Sequence, residues 1–176
     1  NAGFTYLHEG FLQEDLGEFT LDRFPADDSW NSRSVFAQVQ WDLPNGFYIS
    51  GGVRYDRYSD FDSPLTGDFR VSYRYPYGNL TLFFKSATGY SIPQAFDIYG
   101  AFGNPFLKSE QSDGWELGLK QSLWEDRVQW SALYFHNYLT NLIEFPSVFT
   151  PGSTTENVGL AETSGVEFTL TSRPAE

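Results

Sequence analysis

The sequence predicts an all-β chain: an antiparallel, up-and-down transmembrane β-barrel wall of about eight strands. Three observations carry that expectation. Tight and long connections alternate along the chain, apolar and polar residues alternate along the segments between them, and several segments are long for a soluble sheet. Period-two alternation marks strands with two different faces. Strands of globular sheets average roughly 5 to 6 residues, whereas roughly 9 to 11 are needed to cross a bilayer at a tilt.

Taken in order, a first strand is read over Phe4 to Leu12, followed by a long polar stretch from Gln13 to Trp30. In Val35 to Leu43 the apolar positions are Val35, Ala37, Val39, Trp41 and Leu43, set against Gln38, Gln40 and Asp42, with Phe36 breaking the rule. Pro44-Asn45-Gly46 is short turn chemistry, in which Gly and Asn supply positive φ. Phe47 to Asp56 then alternates Phe47, Ile49, Gly51, Val53 and Tyr55 against Ser50, Gly52, Arg54 and Asp56. A second long stretch, Asp60 to Asp68, leads to Phe69, Val71, Tyr73 and Tyr75, opposed by Arg70, Ser72 and Arg74. The Pro76-Tyr77-Gly78-Asn79 turn opens a fifth strand, which Pro93 can end. After the stretch Ser91 to Ser109, a sixth strand alternates Trp115, Leu117 and Leu119 against Glu116, Gly118 and Lys120. Trp124-Glu125-Asp126 turns into a very long segment from Arg127 to Phe145. After Pro146 to Glu156, an eighth strand sets Val166, Phe168 and Leu170 against Glu167, Thr169 and Thr171.

This alternation of connections places the tight turns at one end of the sheet and the long loops at the other. Aromatic residues favour the membrane interface, where a ring is apolar at one edge and hydrogen-bonded at the other. Trp41, Phe47, Tyr75, Tyr77 and Trp124 fall near the short turns, and Tyr55, Tyr58, Tyr90, Tyr134 and Tyr138 near the long loops. A soluble sandwich also turns one face inward, and parity by itself does not separate the two.

Composition bounds the function. The 176 residues suit one domain, and a mean hydropathy of −0.39 with no long apolar run excludes a transmembrane helix but not a barrel strand. Cys is absent, which removes disulfide and thiolate chemistry. Met is absent even at position one, which points to an internal or processed segment. The net charge of −12 argues against nucleic acid, which needs clustered Lys and Arg. Acidic residues gather in the long stretches: Glu14, Asp15, Glu18, Asp22, Asp27 and Asp28 in the first, and Asp60, Asp62 and Asp68 in the second. Solvated acidic loops are the plain reading. The sharper reading is a Ca²⁺ site made from Asp56, Asp60, Asp62 and Asp68, because Ca²⁺ takes several oxygen ligands in flexible geometry. No other cofactor is expected. Only His8 and His136 are present, neither beside a nucleophile motif, so no enzyme activity is expected.

The stretch after Phe84 carries a distinctive order. Ala87-Thr88-Gly89-Tyr90-Ser91-Ile92-Pro93 precedes Phe96-Asp97-Ile98-Tyr99-Gly100 and Gly103-Asn104-Pro105-Phe106-Leu107-Lys108-Ser109-Glu110. Then come Trp115-Glu116-Leu117-Gly118, Tyr134-Phe135, Asn141-Leu142-Ile143, Asn157-Val158-Gly159 and Gly165-Val166-Glu167. This series resembles the carboxy-terminal half of the β-barrel of TonB-dependent outer-membrane receptors. Ser91 and Ser109 stand where that family has Arg and Pro, so roles tied to those residues do not carry over.

The resemblance implies a barrel of about 22 strands whose lumen is filled by an amino-terminal plug. Residues 1–176 would then be a partial barrel domain with no plug, a piece of a longer receptor in the outer membrane of a Gram-negative bacterium. The implied function is active uptake of a scarce ligand, a ferric siderophore or cobalamin. The implied partners are outer-membrane lipid and TonB, ExbB and ExbD, the last three acting through the plug. Trp30, Phe96, Tyr99 and Phe102 are the candidate ligand contacts, because loops at the elaborate end face the medium. Eight strands are also the plan of a small closed barrel serving as an adhesin or structural anchor. That alternative predicts pairing of the first strand with the last.

Overall fold

In the computed structural model the described residues are 2–12, 27–147 and 152–173. They form β1 (Ala2–Leu12), β2 (Asp27–Asp42), β3 (Phe47–Tyr58), β4 (Leu65–Tyr75), β5 (Leu80–Ser91), α1 (Ala95–Tyr99), β6 (Glu110–Leu123), β7 (Val128–Glu144) and β8 (Glu156–Ser172). The strands make one eight-stranded sheet in sequence order, every neighbouring pair antiparallel. Strand lengths run from 11 residues in β1 and β4 to 17 in β7 and β8, enough to cross a bilayer at a tilt.

The register sorts the side chains as the alternation requires. Val35, Tyr55 and Leu65 are successive partners on one face, as are Trp41, Ile49, Val71, Phe84, Leu117, Tyr134 and Val166. The other face carries Ser34 opposite Asp56, Ser50 opposite Arg70, Arg70 opposite Lys85, and Lys85 opposite Glu116. Shifting any strand by one residue would exchange the two sets. The apolar face is uncovered: among the described residues the buried apolar side chains are few, Trp30, Pro93 and Leu107. A soluble sandwich would bury that face against a second sheet. There is none among the described residues, so that reading is set aside.

The tight turns are built as their residues demand. Asn45 and Gly46 take φ of 65° and 86°, and a Cβ on Gly46 would lie 2.4 Å from the Arg74 carbonyl oxygen. In the turn after β6, Trp124, Glu125 and Asp126 all take positive φ, closed by Arg127 N–H donating to the Trp124 carbonyl at 3.1 Å. On the polar face, Gly118 makes room for Phe83 and Leu133, whose atoms would lie 2.5 and 2.9 Å from an added Cβ.

The closed-barrel alternative fails, and two loop boundaries need correction. β1 and β8 form no ladder with each other among the described residues, so the sheet is open rather than a closed eight-stranded barrel. The stretch from Gln13 to Trp30 is not loop throughout, because Asp27 to Trp30 pair with Leu12 to Glu9. Likewise β4 begins at Leu65, so Asp68 stands in a strand opposite Gly52 and Ala87. In these two extensions a neighbouring strand offers ladder bonds that outweigh weak strand propensity. Glu14, Asp15, Glu18 and Asp22 lie outside the described residues.

Candidate functional site

The long connections all emerge at one end, opposite the tight turns, and two aromatic groups assemble there. Trp30 is only 5% exposed and meets Phe61 edge to face at 5.2 Å. Phe61 in turn meets Tyr58 at 6.3 Å, and Tyr58 stacks on Tyr90 at 6.0 Å. Tyr58 shares its parity with Asp56 and pairs with Ser32, so it belongs to the polar face and not to the outer girdle expected of it. Tyr90 is tied down at its hydroxyl, which donates to the Asp62 carbonyl at 2.8 Å and accepts from Ser109 Oγ at 2.7 Å.

The second group centres on Phe145, at the outer end of β7. Phe96 stacks on it at 5.8 Å and Phe102 meets it edge-on at 5.5 Å. Phe96 is carried by α1, a single turn held at its start by Gln94 N–H donating to Asp97 Oδ2 at 2.9 Å. A cleft of about 630 Å³ runs between the two groups, lined by Leu7, Trp30, Ser32, Tyr58, Tyr90 and Phe96, with residues 91–95 closing one side. A concave site with ring walls and a few polar groups is the usual form of a small-molecule pocket.

The loop that carries Phe96 is fastened to its neighbour. Asn157 Oδ1 accepts from Lys108 N–H at 2.7 Å, while its Nδ2 donates to the Lys108 and Asn141 carbonyls at 2.8 and 2.7 Å. Thr155 N–H donates to the Phe102 carbonyl at 2.7 Å, and Asn104 Nδ2 donates to the Thr155 carbonyl at 3.0 Å. Glu110 Oε1 accepts from Ile143 N–H at 2.9 Å, bridging the start of β6 to β7. Asn141 takes a φ of 55° inside β7, a conformation Asn tolerates better than most residues.

The four expected aromatic contacts therefore separate. Trp30 and Phe96 line one cleft; Tyr99 and Phe102 are not in its lining, and Phe102 packs on Phe145. The aspartates proposed for Ca²⁺ do not converge: among the described residues no group of three or more acidic or histidine side chains could hold a metal. Asp56 instead accepts two bonds from Arg54 Nε, at 3.0 and 2.8 Å, a third from Arg54 Nη2 and a fourth from Ser34. Asp60 accepts from its neighbour Ser59, Asp62 meets Tyr90 only through its carbonyl, and Asp68 lies over Gly52. A second pair on the polar face, Lys85 to Glu116 at 2.6 Å, sits directly across β5 and β6.

A family model for the TonB-dependent receptor-like β-barrel matches residues 2–173. The chain belongs to that family. Among solved structures, the siderophore receptor PirA of Pseudomonas aeruginosa superposes on this TonB-dependent receptor barrel with a TM-score of 0.77 at 19% identity, over 95% of this chain and 32% of that one. The hemophore receptor HasR of Serratia marcescens gives 0.77 at 17% identity, over 96% and 35%. The copper transporter OprC gives 0.77 at 17%, over 99% and 32%. This receptor barrel thus spans about a third of the length of those chains, and its fold accompanies proteins named for three different cargoes. The family is one of outer-membrane receptors.

Proposed function

We propose that this chain forms part of the wall and outer rim of a receptor that takes up a ferric siderophore across the outer membrane of a Gram-negative bacterium. The observation that carries this reading is the cleft that Trp30, Ser32 and Tyr58 of the polar face line together with Phe96 and the edge of Tyr90, at the end where the long loops emerge. Ring faces and Ser32 offer a chelate both apolar contact and hydrogen bonding, and pre-packed rings lose little entropy when a ligand docks. Uptake would be driven by TonB, ExbB and ExbD through a plug outside this sequence. Cobalamin is the second ligand this rim could take, whereas the adhesin or anchor reading draws no support from an open sheet.

The test is ferric siderophore binding by the full-length receptor, with Trp30→Ala and Tyr58→Ala beside the parent. Loss of a central aromatic contact is expected to weaken binding about tenfold or more for each variant. A receptor that binds neither catecholate nor hydroxamate ferric siderophores sinks the proposal. Binding of cobalamin in their place selects the other ligand.

A further inference from the structure

The opposite face of the sheet carries a second groove, of about 510 Å³, which the uptake reading does not use. Its lining includes Leu65, Tyr90, Gln111, Asp113, Tyr138, Thr140 and Leu160. Register places Tyr90, Gln111, Thr140 and Leu160 side by side on four neighbouring strands, with Asp113 and Tyr138 partnered one step below. These positions share the parity of Trp115, Leu117 and Tyr134, so the groove continues upward from the apolar face. Val128 to Tyr138 already supplies the roughly 9 to 11 residues a tilted strand needs to cross a bilayer, so Thr140 emerges at the outer surface.

We infer that this groove seats the sugar headgroup of an outer-leaflet amphiphile, its tails lying on the apolar face below. The inference rests on reading that face as the lipid-facing one. Gln111, Asp113, Tyr138 and Thr140 offer hydroxyl, amide and carboxylate partners, and no side-chain hydrogen bond engages them among the described residues. Leu160 is 64% exposed and Leu65 71%, giving apolar ground beside them for the C–H face of a sugar ring. Arg and Lys are absent from the lining, and Asp113 disfavours a phosphate, so the chemistry selects an uncharged polyhydroxyl group over a phosphate headgroup.

The experiment takes the full-length receptor purified in an amine-oxide detergent and titrates it with dodecyl maltoside or dodecylphosphocholine, counting retained amphiphiles by native mass spectrometry. The parent is expected to keep the maltoside preferentially. The Q111A/T140A double variant is expected to lose about tenfold in that retention, with phosphocholine retention unchanged. Equal retention of both amphiphiles by the parent, or an unchanged double variant, overturns the proposal. Quenching of Trp115 fluorescence by brominated lipid chains checks the lipid-facing premise separately, and no quenching also overturns it. Ferric siderophore binding, measured on the same samples, is expected to be unaffected by the double variant; its absence from the parent would sink the uptake reading alone.

Discussion

Asp56 shows how a residue type is a poor guide to its use. Acidic loops suggested cation binding, but this carboxylate stands on the inner side of β3, opposite Ser34 and two positions from Arg54, and spends its acceptors on both. Asp56→Ala is expected to lower stability by about 1 to 2 kcal/mol, the exposed Arg54 regaining part of its solvation. Chemical unfolding of the full-length receptor in detergent reads this out, and an unchanged midpoint would contradict it. A second residue-scale expectation concerns the turn after β6, where Glu125 and Asp126 hold φ of 54° and 65° without being Gly or Asn. The E125N/D126G variant matches that geometry and is expected to gain about 1 kcal/mol in the same assay.

At the level of elements, the strands were legible because a sheet with unlike faces writes its period into the sequence, and the tight turns because positive φ selects Asn and Gly. Other features left no such mark. Asp27 to Ser29 are weak strand formers, so only pairing with β1 reveals that Trp30 is a strand residue. Phe145 follows the last residue of β7 with no local pattern, yet it anchors both Phe96 and Phe102. Parity alone could have placed Tyr58 inward with Asp56. Asn157, visible beforehand only as a motif letter, proves to fasten the start of β8 to Lys108, 49 positions earlier in the loop before β6. Asn157→Ala is expected to cost about 2 kcal/mol of local stability. Hydrogen exchange at the Lys108 amide should accelerate correspondingly while β2 to β5 keep their protection; uniform acceleration across the sheet would refute a local role.

For the whole molecule, the decisive property is that among the described residues β1 and β8 each pair on one side only. Unpaired strand edges are costly in lipid and invite pairing with other chains. The 176-residue chain refolded alone in detergent is therefore expected to sediment as associated species, whereas a receptor that supplies the neighbouring strands remains a discrete particle. A monodisperse monomer of the isolated chain would refute this. The loop fastening has a consequence for how such receptors exchange parts. The 124–127 turn, a tight connection at the end opposite the long loops, offers a splice point between two parental barrels. A joint there would take Lys108, Asn104 and Phe102 from one parent and Asn141, Thr155 and Asn157 from the other. Hybrids that keep their specificity should carry the segment from α1 to the start of β8 as a single inherited block.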